Sequence, residues 1–155
     1  MKFLSHSVKD TVKLGKALAN RLSKGDIVCL FGNLGSGKTV LAKGIAEGLG
    51  IKTKTVISPT FVLMRQYDSK IPLNHFDLYR LEDPKDVFFL GYEEYLYGDG
   101  ITVIEWADKL KYLLPKDYLK VELSLAGKTH RHIKLIGKGQ RYKELVKEIN
   151  ENISR

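Results

Sequence analysis

The 155-residue chain has one cysteine, four prolines and one tryptophan, and each scarcity excludes something. A single thiol can form neither an internal disulfide nor a metal cluster, so Cys29, inside the apolar run DIVCLFG, reads as a small core residue. No window approaches the roughly 18 apolar residues that a membrane helix needs, and no membrane span is predicted. The start, MKFLSHSVKD, has one lysine and then two apolar residues before polarity returns, which is not the apolar region of a secretory signal. A cytoplasmic location is the expectation. No internal repeat, low-complexity tract or Pro/Ser-rich linker interrupts the chain, so residues 1–155 are expected to form a single domain.

Acidic residues are also in short supply, with 18 Asp+Glu against 26 Lys+Arg and a formal net charge of +8. That balance suits either encounter with RNA or an acidic partner, or a lysine-rich solvated surface. The segment KTHRHIK carries the same ambiguity. Lys128, His130, His132 and Lys134 recur on one strand face, as a basic stripe or as an edge strand protected by charge.

What is present is periodicity. SVKD at residues 7–10 fits a capping box, and Val8, Val12, Leu18 and Leu22 follow at near-helical spacing until Lys24-Gly25, predicting a first helix. DIVCLFG predicts a buried strand, and Leu41, Ala42, Ile45 and Leu49 predict a helix that stops at Gly50. Further strands are predicted in TFVLMRQYD (60–68), LNHFDLY (73–79), ITVIEW (101–106), YLKVELSLA (118–126) and HRHIKLIG (130–137). Helices are predicted over about 84–97 and 140–152, the latter with Tyr142, Leu145, Val146, Ile149 and Ile153 as a core-facing stripe. The fold class expected is α/β, with a mixed, mainly parallel central sheet flanked by helices.

Between the first buried strand and its helix lies GNLGSGKT, residues 32–39, a full match to G-x-x-x-x-G-K-[ST] in the strand-loop-helix context the motif requires. Gly32, Gly35 and Gly37 allow backbone N–H groups to approach phosphate oxygens, and the helix start adds its positive dipole end. Lys38 is expected to reach the β- and γ-phosphates, and the Thr39 hydroxyl to ligate Mg2+. The metal also wants a carboxylate at the carboxyl end of a neighbouring strand. Glu105, closing ITVIE, and Asp77, in LNHFD, both qualify, with Glu105 preferred as the metal ligand. His75, Asp77 and Tyr79 share a strand face by their two-residue spacing, which could set a carboxylate between an imidazole and a phenol. For His75 a satisfied core histidine and an acid/base role are both open. Thr60 in SPTF fits either a threonine that senses the γ-phosphate or the opening of a strand after a proline turn, and Trp106 either packs beside the nucleotide or fills the core.

ATP is favoured over GTP, because no [NT]-K-x-D segment is present. Residues 84–97 do not resemble the arginine-rich lid of a nucleoside monophosphate kinase. An ATPase is the first reading. A small P-loop kinase, passing phosphate to a hydroxyl acceptor through Asp77, and a nucleotide-controlled binding module are the alternatives.

GNLGSGKT, SPTF at 58–61, H-x-D-x-Y-R at 75–80 and the E-W pair at 105–106, in this order, resemble the TsaE (YjeE) family over about residues 7 to 108. The resemblance implies an Mg2+-dependent ATPase that works with the TsaD and TsaB proteins in making N6-threonylcarbamoyladenosine beside the anticodon of tRNAs reading codons that begin with A. Hydrolysis would reset the transferase complex. It also implies that Asn33, Leu34, Gly35, Ser36, Gly37, Lys38 and Thr39 line ATP, that Thr39 and Glu105 hold Mg2+, and that Thr60 and Asp77 lie near the γ-phosphate or attacking water. Trp106 would sit close to the nucleotide, and Ser7 or Thr11 would touch the base. Two positions depart from the family pattern. Asn33 stands where aspartate is frequent, and Ala107-Asp108 where proline often follows E-W.

Overall fold

In the computed structural model, which describes residues 1–52, 54 and 63–153, strand β2 (Ile27–Phe31) is the middle of a seven-stranded sheet. Its sequence explains its place: Val28 and Leu30 enter one core and Ile27 and Cys29 the other, so both faces are apolar and both are covered. The other strands are β1 (Lys2–Ser5), β3 (Met64–Tyr67), β4 (Leu73–Asp77), β5 (Ile101–Glu105), β6 (Tyr118–Leu125) and β7 (Arg131–Lys138). The order is β1-β7-β6-β2-β5-β4-β3. β6, β2, β5 and β4 run parallel, whereas β1, β7 and β3 attach antiparallel on the flanks. Register aligns the carboxyl ends: Leu30 pairs with Glu105, and Glu105 with Asp77.

One face of the sheet is covered by α1 (Val8–Ala19), α2 (Lys38–Gly48) and α4 (Gln140–Ile153). α1 and α2 pack backbone to backbone through glycine. A Cβ on Gly44 would lie 2.6 Å from the Val12 carbonyl oxygen, and one on Gly15 would lie 2.7 Å from Gly44 Cα. α4 docks through Tyr142, Leu145 and Ile149, and the Tyr142 hydroxyl accepts the Ile27 N–H at 2.8 Å. Arg141 and Asp26 form an ion pair at 2.8 Å alongside it. The second face carries Phe76, Ile104, Leu110 and Tyr92, under two 3-10 segments (Pro84–Leu90 and Ala107–Leu113) and α3 (Tyr92–Leu96). Cys29 is fully buried there, and burial pushes its thiol pKa up, in keeping with a core role.

The expected mixed α/β architecture is present, with four differences in detail. The helix expected over 84–97 is a 3-10 segment and a short α-helix, divided at Gly91, whose φ of 68° closes the first and opens the second. α1 stops at Ala19, because residues 20–25 turn into β2. Residues 2–5 form an edge strand; Phe3 and Leu4 are too short a pattern to announce it, and only pairing with β7 defines it. Residues 107–113 wind into 3-10 turns after Trp106, broken by a kink at Lys111, whose φ of 49° is not helical. Of the strand expected at 60–68, residues 64–67 are extended, and residues 60–62 lie outside the described residues.

Gly44→Val should lower unfolding stability by about 1–3 kcal/mol, since the α1–α2 contact has no room for branching at Cβ. A denaturant midpoint equal to that of the parent would refute the close packing. A second expectation concerns alkali. Burial raises the Tyr142 hydroxyl from 10.0 to about 12, so the unfolded chain releases this proton before the folded one does. Its contribution to stability is complete below pH 10 and is lost as pH rises through about 12. Tyr142→Phe should be less stable at neutral pH, because the Ile27 N–H loses its acceptor, and should show a shallower alkaline fall in midpoint.

Candidate nucleotide site

The loop joining β2 to α2 is shaped by close approach. A Cβ on Gly32 would collide with the Leu123 carbonyl oxygen and come within 2.6 Å of Ser36 Oγ, so the chain can pass over β6 only with glycine there. Gly37, at φ 103°, caps α2 with backbone alone, with no side-chain cap hydrogen bond among the described residues. Such an end favours anions. Lys38 is buried and curls back, donating to the carbonyl oxygens of Gly32 (2.5 Å) and Asn33 (3.0 Å) and to Ser36 Oγ (3.4 Å). Burial lowers its pKa, while Glu105, Asp108 and Asp77 oppose the shift.

Beside the loop stand the carboxyl ends of β5 and β4. Residues 101, 103 and 105 of β5 and 73, 75 and 77 of β4 alternate toward the α2 face, which brings three polar side chains under the first turn of α2. The Thr39 hydroxyl donates to Glu105 Oε1 at 2.6 Å, and the other carboxylate oxygen, Oε2, meets His75 Nε2 at 2.6 Å. His75 and Glu105 are each about 1 % exposed, and His75 Nδ1 has no partner among the described residues. Asp77 Oδ1 accepts the Tyr79 backbone N–H at 3.0 Å. The imidazole therefore serves Glu105 on the next strand and not Asp77 on its own. The Tyr79 ring leaves the strand face and packs at 5.0 Å from the Trp106 ring.

Trp106 turns the chain sharply after Glu105, at φ 56°. A bulky residue there carries strain of about 1–3 kcal/mol. In return its ring lies 4.0 Å from Lys38 Nζ and forms one wall of the loop cavity. Trp106 thus stands beside the phosphate loop and at the same time packs against the second core. The cavity, about 450 Å3, is lined by the loop from Leu34 to Val40 together with Asp77, Tyr79, Glu105, Trp106 and Arg131. Leu34 is exposed at its rim.

A second cavity of about 340 Å3 adjoins it, sharing Gly37, Val40 and Arg131. Ser7 and Thr11, one or other of which the family resemblance puts against a base, both line this space. Ser7 Oγ caps α1 on the Asp10 N–H at 3.2 Å, and the Thr11 hydroxyl bonds Ser5 Oγ at 2.8 Å. His6 and Arg131, which sequence reasoning did not include, also stand here, with Lys128, which the sequence put on the basic strand face and which instead precedes β7. No local motif marks them; only the β1–β7 pairing brings residues 6 and 131 together. Thr60 lies outside the described residues. His132 and Lys134 are exposed on the outer face of β7 beside Lys2, and Lys134 is 3.8 Å from Glu122, which Lys120 also contacts at 2.7 Å. That stripe is separate from the loop cavity.

The donor set suits a magnesium-bound nucleotide. The Thr39 hydroxyl and the Glu105 carboxylate already converge within 2.6 Å, both are hard oxygen ligands, and Asp77 stands in register beside them.

Comparison with known proteins gives the family. The family model described as threonylcarbamoyl adenosine biosynthesis protein TsaE matches residues 5–133. The chain belongs to the TsaE family. The tRNA threonylcarbamoyladenosine biosynthesis protein TsaE of Bacillus subtilis is 39% identical over 157 residues, covering 99% of this chain and 98% of that protein. The TsaE of Treponema pallidum is 38% identical, covering 86% and 98%. The crystal structure of Bacillus subtilis YdiB superposes with a TM-score of 0.85 at 33% identity, over 98% of this chain and 95% of that one. The TsaE match runs past the E-W pair and takes in β6 and the start of β7, including Arg131.

His75→Leu should destabilise the chain by about 1–3 kcal/mol, because it leaves a buried Glu105 oxygen without its donor. His75→Gln, whose amide N–H can stand near the position of Nε2, should recover part of that loss in the same denaturant titration. Equal midpoints for the parent and the Leu variant would remove His75 from this role.

Proposed function

We propose that the chain hydrolyses ATP with Mg2+, in the cytoplasm, and that this turnover serves threonylcarbamoylation of tRNA in company with the TsaD and TsaB proteins. The observation that carries the proposal is the 2.6 Å contact between Thr39 and Glu105 at the uncapped start of α2, directly beneath the phosphate loop. The family to which the chain belongs supplies the pathway.

The residues divide the work as follows. Backbone N–H groups from residues 33–39 hold phosphate oxygens, and Lys38 transfers its hydrogen bonds from the loop carbonyls to the β- and γ-phosphates. Thr39 and Glu105 hold Mg2+, which when bound neutralises charge on those phosphates. His75 fixes the Glu105 carboxylate from behind. Asp77, together with Thr60, orients a water toward the γ-phosphorus; the new P–O bond forms as the bond to the β–γ bridging oxygen breaks, leaving ADP and phosphate. Trp106 keeps bulk water from the Lys38 side, and Ser7 and Thr11 border the base. Hydrolysis then resets the transferase complex of the two partner proteins.

The test is phosphate release from ATP by the purified chain, alone and with TsaD plus TsaB, with and without tRNA. Slow release alone and strong stimulation by the partners is the expected result. Thr39→Ala and Glu105→Ala should each lower the stimulated rate by about 100-fold or more without loss of folding. Phosphate recovered on an acceptor hydroxyl instead of in water would establish the kinase alternative and overturn the proposal.

A further inference from the structure

Arg131 belongs to no motif of the nucleotide site, yet among the described residues it is the one charged side chain that lines both cavities described above. It opens β7, paired with Ser5 of β1 on one side and Leu125 of β6 on the other. From there its side chain crosses the end of the sheet to the phosphate loop. Nη2 donates to the Gly35 carbonyl at 3.2 Å, and Nη1 to the carbonyls of His130 (2.9 Å) and Lys128 (3.4 Å). Its Nε lies 4.0 Å from where a Cβ on Gly37 would stand, at the head of α2.

The arrangement of those bonds matters. Nη1 bonds two carbonyls and Nη2 one, so the guanidinium is anchored, and Nε has no partner among the described residues. Nε and Nη2 together form the side-on edge of a guanidinium, the edge that grips two oxygens of one phosphate. Lys38, by contrast, is a point charge deep in the loop, on the Trp106 side.

Position assigns the phosphate. Lys38, Thr39 and Glu105 occupy the inner cavity, where the β- and γ-phosphates belong on the proposed function. Ser7 and Thr11 occupy the other, where the base belongs. Gly37, Val40 and Arg131 are the residues common to both, and what joins a base to its β-phosphate is the ribose and the α-phosphate. We propose that Arg131 is a binding residue for the nucleotide, its anchored guanidinium presenting the Nε/Nη2 edge to the α-phosphate at the junction of the two cavities. This rests on the ATP-binding reading of the site. A phosphate there would also tie nucleotide occupancy to the 125–131 hairpin, since the same side chain holds the carbonyls of Lys128 and His130.

The test is equilibrium binding of ATP and of ADP, followed by the fluorescence of Trp106, the single tryptophan. Arg131→Gln should weaken both nucleotides by about 10-fold or more and by the same factor, since both carry the α-phosphate. Arg131→Lys should fall between Gln and the parent, keeping the charge and losing the fork. Thermal unfolding without nucleotide separates binding from folding: the Lys and Gln variants should differ in affinity even where they melt together. Unchanged affinities in Arg131→Gln would overturn the inference while leaving the ATP reading intact. A loss confined to ATP would place the arginine on the γ-phosphate and overturn the junction assignment. A parent chain that binds neither nucleotide would overturn the ATP reading itself, and this inference with it.

Discussion

The site depends on one buried carboxylate held on both oxygens. Glu105 is sealed from solvent, and a charge in such a place is tolerated only when it is hydrogen-bonded. Thr39 supplies one bond from α2 and His75 the other from β4, each at 2.6 Å. Three elements far apart in sequence are thereby fixed to a common point. The contact between Glu105 and His75 needs a proton, and His75 Nδ1 on the far side of the ring has no partner among the described residues.

Everything that places this carboxylate is a matter of packing. β5 must lie beside β2 in register, so that Glu105 ends level with Leu30 just where the phosphate loop leaves the sheet. The loop is held at that height by α2, and α2 by α1, across a glycine contact that permits no Cβ. Sliding α2 along α1 would therefore move Thr39 away from its partner. Strain accumulates at the next residue, Trp106, whose left-handed backbone turns the chain without extending β5 past the site and brings the indole against Lys38.

The sequence made much of this legible, for identifiable reasons. GNLGSGKT needs only local geometry to act, so its spacing is visible in eight consecutive letters. β4 and β5 are apolar runs ending in acids, and a parallel sheet brings such ends together whatever the detailed topology. What stayed hidden depends on pairing. That His75 serves Glu105 follows from the β4–β5 register, and two-residue spacing along one strand points instead to Asp77. β1 exists only because β7 offers it an edge, and Arg131 reaches the loop only because β7 enters the sheet two strands from β2. The 84–97 helix was divided by Gly91, a glycine whose positive φ is set by the turn it makes and not by its neighbours' hydrophobicity.

The hydrogen bonds of the loop also bear on how it would take up a nucleotide. Lys38 donates to the carbonyls of Gly32 and Asn33, Thr39 to Glu105, and Arg131 to Gly35. Lys38 and Arg131 are thus already turned toward the phosphate loop, and the carbonyls that Lys38 holds are acceptors that phosphate oxygens could replace. Binding by exchange of this kind desolvates little new charge, because the ammonium and the hydroxyl have left water in the course of folding. It also requires small movements, since Lys38 already holds acceptors on the phosphate loop itself. The folding energy of the α1–α2 contact and of the central strands has in this sense been committed in advance to the shape of the site, which is the condition for strong electrostatic stabilisation of charge as it develops on a transferring phosphate.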